Sequence, residues 1–160
     1  MEEQSSHLED EFDLENVFEV EDYLYFYQDN LVGDILNHQV KALQTYLNLD
    51  QPMKILDLAC GFGRHANHLA ALGHSVVGID YTPGFLEIAK KAADTAGARV
   101  EYVQGDMRTI KYKNEFDRVL LLFTSFGYFS EESNSQVIQN IAESLRPDGL
   151  LCMDILNRPE

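Results

Sequence analysis

Residues 53–63 read Met53-Lys54-Ile55-Leu56-Asp57-Leu58-Ala59-Cys60-Gly61-Phe62-Gly63, a short apolar run that meets an acid and passes into a glycine-bearing turn. A run of this length bounded by such a turn reads as a buried strand. The RHANHLAAL that follows, ending before Gly73, has the spacing of a helix. Strand, turn and helix make the opening of a βαβ unit, and the question is whether the chain repeats it.

It does. SVVGI at residues 75–79 predicts a second strand, and PGFLEIAKKAADTA at 83–96 a second helix, with Thr82 and Pro83 as its cap and first residue and Gly97 as its stop. RVEYVQ at 99–104 predicts a third strand. FDRVLLLF at 116–123 predicts a fourth, whose unbroken apolar run suits a strand covered on both faces at the sheet centre. Ser130, Glu131 and Glu132 open a further helix with Val137, Ile138, Ile141 and Leu145 on its inner side, and Pro147 to Gly149 turns the chain into LLCMDIL at 150–156. Strands separated by helices in this way predict an α/β, doubly wound, Rossmann-like and mostly parallel sheet.

Upstream the sequence changes character. Residues 1–50 hold 13 acids and a single base, Lys41, so most of the net charge of −15 lies there. The division expected is an acidic N-terminal tail, aromatic segment and cap helix over residues 1–50, and a ligand-binding core over 51–160. The first dozen residues read as a solvated tail. Tyr23, Tyr25, Phe26 and Tyr27 are either ordinary packing or a lid. Val32, Leu36, Val40, Leu43 and Leu47 recur at helical spacing and predict a helix with one buried stripe. So negative a chain repels phosphate backbones and anionic lipid, which disfavours nucleic acid and membrane partners. Cys60 and Cys152 lie in apolar contexts, and neither a secretory segment nor a membrane-length apolar run is visible, so the expectation is a reduced, cytoplasmic protein.

In a doubly wound sheet, ligands bind beyond the carboxyl ends of the strands where the strand order reverses. There the sequence places Asp57, Ala59, Gly61 and Gly63 after the first strand, Asp80 and Tyr81 after the second, and Gly105, Asp106 and Met107 after the third. Glycines admit a ligand close to the backbone, and the helix that follows offers unpaired N–H groups. Asp80 can accept both hydroxyl protons of a ribose. Asp106 can accept from an adenine amino group, and the Met107 N–H can reach a ring nitrogen. Together these indicate an adenosine-containing cofactor. The same Gly61-x-Gly63-x-x-Ala66 turn followed by Asp80 also fits a nicotinamide dinucleotide fingerprint, against which stand Asp57 and the Gly105-Asp106 pair. A non-catalytic cofactor-binding domain is the remaining alternative.

ILDLACGFG, GIDYT and QGDM, with LRPDGLL before the last strand, resemble the motifs of class I S-adenosylmethionine-dependent methyltransferases over about residues 23–160. The resemblance implies that Asp57, Ala59 and Gly61 hold the methionine part of the cofactor, and that Asp80 binds the ribose while Tyr81 packs on adenine. Asp106 and Met107 would meet the adenine, and Phe123 would line the sulfonium and open toward a small-molecule methyl acceptor. Ala59 stands where that family's motif has its first glycine. The family's sheet normally continues with two more strands, so this chain is expected to lack them and to leave its fifth strand as an apolar edge open to self-association. His65 and His68 share a helix face, but no third metal ligand accompanies them, so no metal is expected. Arg64 is a candidate for the cofactor carboxylate and Tyr128 for handling a proton. In-line methyl transfer needs little acid–base help, so no obligatory catalytic residue is read.

Overall fold

The computed structural model describes residues 19–27 and 33–156. The acidic tail before Glu19 and the expected helix position Val32 lie outside the described residues. Helices α1 (Val20–Tyr27) and α2 (Asp34–Tyr46) precede an alternating series: β1 (Lys54–Leu58), α3 (Arg64–Ala71), β2 (Ser75–Asp80), α4 (Pro83–Ala96), β3 (Val100–Gln104), β4 (Phe116–Leu121), α5 (Glu131–Ser144) and β5 (Leu145–Met153). All neighbouring strands pair in parallel in the order β3-β2-β1-β4-β5. The chain steps outward from β1 to β3, then returns to lay β4 on the other side of β1. The order therefore reverses between β1 and β4.

Side chains alternate across the sheet, and each face has its own core. Ile55, Val76 and Leu120 meet Leu36, Val40 and Leu43 of α2 and Ala66 and Leu69 of α3. Leu56, Leu58, Val77, Ile79, Val119 and Leu121 meet Val137 and Ile141 of α5 on the opposite face. Each such side chain, removed from water on both sides of the sheet, contributes about 1.5–3 kcal/mol. Helix ends follow local chemistry. Pro83 starts α4, and Gly97, in the left-handed region at φ 65, ends it. Ser130 caps α5 by accepting the Ser133 N–H. The buried Arg118 of β4 donates from Nε to the Leu47 carbonyl at 2.6 Å, fixing the end of α2 to the sheet.

Four details differ from the sequence reading. The centre of the sheet is β1; β4 lies beside it, and its apolar run is explained by neighbours on both edges and helices on both faces. Ile138 is turned outward, because α5 buries Val137, Asn140, Ile141 and Ser144. Leu145 already belongs to β5, which pairs Phe116 with Leu145 and then skips to Arg118 with Leu150; the expected turn at 147–149 is an irregularity within that strand, with Asp148 at φ 65. Thr82 caps α4 only by its extended backbone, with no side-chain hydrogen bond. Among the described residues no helix is long and apolar enough to cross a membrane.

Candidate functional site

Beyond the carboxyl ends of β1, β2, β3 and β4 lie two adjoining cavities. One, of about 640 Å³, is lined by Asp57, Cys60, Arg64, Phe123 and residues of α1. The other, of about 90 Å³, is lined by Asp80, Tyr81, Phe85, Asp106, Met107 and Phe129. Tyr23, Ala59, Gly61, Ser125 and Tyr128 border both. A wide chamber thus adjoins a narrower slot.

The turn after β1 makes the shared wall. Ala59 and Gly61 sit at φ 53 and 55, a left-handed conformation that costs an L side chain about 1–2 kcal/mol and glycine nothing. Gly61 donates its N–H to Asp80 Oδ2 at 2.7 Å, and Thr82 donates its own to Asp80 Oδ1 at 2.9 Å. Asp80 thereby joins the turn to the start of α4. Burial raises its carboxyl above the usual range, while these N–H groups draw it back. Gly63 borders neither cavity. A side chain there would strike the Tyr102 hydroxyl and Ala89, so this glycine lets the α3 start, α4 and the Tyr102 ring pack closely. Gly78 of β2 lies under the same ring.

Asp57 is the most unusual group in the chamber. It is 3% exposed, and its Oδ2 has no hydrogen-bond partner. Burial pushes its carboxyl up to about 7; Asp80 adds to this, and Arg64 and the Ala66 N–H oppose it. A buried carboxylate oxygen without a donor is costly, and a cationic ligand group would satisfy it. Arg64 lies nearby, donating to Gln39 Oε1 at 2.7 Å with its guanidinium 5.2 Å from the Phe123 ring centre. Gln39 Oε1 also meets His65 Nε2 at 3.1 Å, and burial pushes His65 down to about 3, so it is neutral. Burial raises both cysteine thiols, which leaves Cys60 and Cys152 as packing groups rather than nucleophiles. Among the described residues no cluster of three or more His, Cys, Asp or Glu is placed to hold a metal ion.

At the slot, Asp106 is held by Arg108 through Nε and Nη2 at 2.9 and 2.6 Å. Burial raises this carboxyl, but the Arg108 hydrogen bonds outweigh it and hold it below its usual range. Arg108 lies 4.3 Å from the Phe129 ring centre. Asn140 of α5 donates to the Met107 and Arg108 carbonyls at 3.1 and 2.9 Å and fixes this loop.

The aromatic segment forms α1, which lies over the site. Tyr23 meets Phe85 edge-on at 5.2 Å between centroids, and Tyr27 meets Phe123 at 5.9 Å. Phe123, at φ 60, closes the chamber below. Of the expected site residues, Asp57, Ala59, Gly61 and Phe123 border the chamber and Ala59, Gly61, Asp80, Tyr81, Asp106 and Met107 the slot. Gln39, Phe85, Arg108 and Asn140 were not anticipated. Asn140 alone had a legible signal, as a polar residue three positions after Val137, on the same side of the helix.

Residues 55–149 match the family model described as "Methyltransferase domain". The ubiquinone biosynthesis O-methyltransferase of Azorhizobium caulinodans is 33% identical over 84% of this chain and 51% of its own length. A sugar N-methyltransferase from Streptoalloteichus superposes with a TM-score of 0.73 at 22% identity, covering 88% of this chain and 55% of that one. An S-adenosylmethionine-dependent methyltransferase from Clostridium acetobutylicum superposes at 0.70 and 18%, covering 84% and 55%. The chain spans about half the length of the curated relatives it matches.

Proposed function

The chain belongs to the methyltransferase-domain family, and from that premise we propose that its two cavities hold S-adenosylmethionine for transfer of a methyl group to a small molecule. The observation that carries the reading is the unpartnered Asp57 oxygen in a chamber that adjoins the Asp80 slot. When bound, the cofactor supplies an electrophilic methyl group on a sulfonium sulfur.

In this reading Asp57 accepts the ammonium of the amino-acid end and Arg64 faces its carboxylate, two charges set beside two opposite ones. Asp80 receives the ribose hydroxyls in competition with the donors that already face its carboxylate, the Gly61, Tyr81 and Thr82 N–H groups and the Thr82 hydroxyl. Tyr81 packs on adenine, and Met107 offers its backbone N–H. Asp106 takes the adenine amino group at the expense of one of its Arg108 bonds. Ala59 and Gly61 let the backbone approach, Gly63 supports that turn by packing, and Phe123 bounds the space left for the acceptor. Water is excluded by α1 and its rings.

Residues 51–160 form the cofactor-binding core and residues 1–50 its acidic tail and cover in the same proposal. The net charge of −15 supports a small-molecule acceptor over nucleic acid or a membrane surface. Two free thiols support a reducing, cytoplasmic setting. Among the described residues β5 pairs only with β4, and Leu150 on it and Ile155 and Leu156 just after it are exposed, which supports self-association along that edge.

Calorimetric titration with S-adenosylhomocysteine, with NADH in parallel, tests the cofactor assignment. Saturable binding of S-adenosylhomocysteine, lost in Asp80→Ala, is expected. Binding of NADH instead would overturn it in favour of hydride chemistry.

A further inference from the structure

Helix α1 turns toward the chamber a face that ordinary packing would make apolar. Glu19, Asp22, Tyr23, Phe26 and Tyr27 all line the cavity, at the spacings of three and four residues that define one side of a helix. Two of the five are carboxylates. Neither Glu19 nor Asp22 is ion-paired among the described residues. Glu21, with the same charge, lies outside both cavities.

The chamber's other charges are Asp57 and Arg64, which offset one another and are matched by the two ends of the proposed cofactor. Arg64 is further occupied by Gln39 and stacked on Phe123. Among the described residues, no cation is paired with the carboxylates of Glu19, which immediately precedes α1, and Asp22. Between them and Phe123 the wall is aromatic: Tyr23, Phe26, Tyr27 and Tyr128. Carboxylates backed by ring faces attract a positive group through both charge and the ring quadrupole. The buried, unpartnered Asp57 oxygen marks the same chamber as a place for ligands.

We propose that the acceptor is an ammonium-bearing small molecule, seated with its charge between Glu19 and Asp22 and its body against the aromatic wall. The inference rests on the cofactor reading above. Its test is calorimetry on the full chain saturated with S-adenosylhomocysteine, titrated with phenethylammonium, the neutral 2-phenylethanol and phenylacetate. Phenethylammonium is expected to bind about tenfold more tightly than the alcohol, with phenylacetate weakest. The Glu19→Gln/Asp22→Asn variant should level the three, with an unchanged rate of chymotryptic cleavage after the exposed Tyr25 and Phe26 showing that α1 stays docked. Equal binding of amine and alcohol, preference for the carboxylate, or no binding of any probe to the loaded chain would overturn the proposal while leaving the cofactor reading in place. Failure to load with S-adenosylhomocysteine would overturn both.

Discussion

At the scale of single residues, the chemistry concentrates on Asp57. Its folded carboxyl titrates near 7 and its unfolded one near 3.8, because burial penalises the charge. Between those values the folded chain holds the proton more tightly than the unfolded one, so raising the pH through this window removes stability, and the loss is complete above 7. Ligand affinity runs the other way, since only the ionised carboxylate can accept an ammonium. Below about pH 6.5 the buried, neutral His65 opposes this slope, because only the unfolded chain holds its proton there, so thermal melts of the free chain should fall from about pH 6.5 to 8 while S-adenosylhomocysteine binding tightens. Asp57→Asn should flatten both trends, stabilise the free chain by about 2 kcal/mol at pH 8, and weaken the ligand about a hundredfold. A slope unchanged in the variant would clear Asp57 of this role. Ala59 presents the opposite case, a residue at φ 53 where the backbone prefers glycine. Ala59→Gly should gain about 0.5–1 kcal/mol in urea unfolding, the relief of strain exceeding the added entropy of the unfolded chain. The acids and glycines that border the cavities were legible because they fall at strand ends. The packing duty of Gly63 was not, because it depends on Tyr102, distant in sequence.

Among the elements, α4 was legible at both ends because Pro83 and Gly97 act locally, whatever surrounds them. The same cannot hold for α1. Aromatic residues at 23, 25, 26 and 27 satisfy a strand period and a helix period at once, and eight residues are too few to form a helix on propensity alone. None of its residues is fully buried, so its docking rests on ring edges against Phe85 and Phe123 and on Val20 against Gly84. An element held this way should open more readily than the sheet, and a ligand beneath it should hold it closed. Chymotrypsin cutting after the exposed Tyr25 and Phe26 should therefore slow at least about fivefold with S-adenosylhomocysteine. Tyr23→Ala, which removes the α1 ring that borders both cavities, should abolish that protection. Cleavage at one rate with and without ligand would mean that α1 does not cover it.

For the molecule as a whole, the parallel sheet was legible in the alternation of strands and helices, whereas its strand order was not. The apolar runs of β1 and β4 are alike, and nothing in a run states which strand lies beside it; that is decided by how the chain returns from β3. The order matters because, among the described residues, it leaves β5 at an edge, with Leu150 exposed on it and Ile155 and Leu156 exposed just after it. Apolar edges attract copies of the same chain, while a net charge of −15 on each copy repels them. The two forces differ in their response to salt. At about 0.1 M the screening length is about 10 Å, and at 1 M about 3 Å, so added salt removes the repulsion and leaves the apolar attraction intact. Sedimentation velocity should then show association that strengthens from 0.05 to about 0.5 M sodium chloride. Leu150→Lys and Ile155→Lys should suppress it, since charge on an edge strand blocks pairing. Association that weakened with salt would instead indicate contacts between the acidic segment and the few basic residues, and a monomer at every salt concentration would show that the edge is not used.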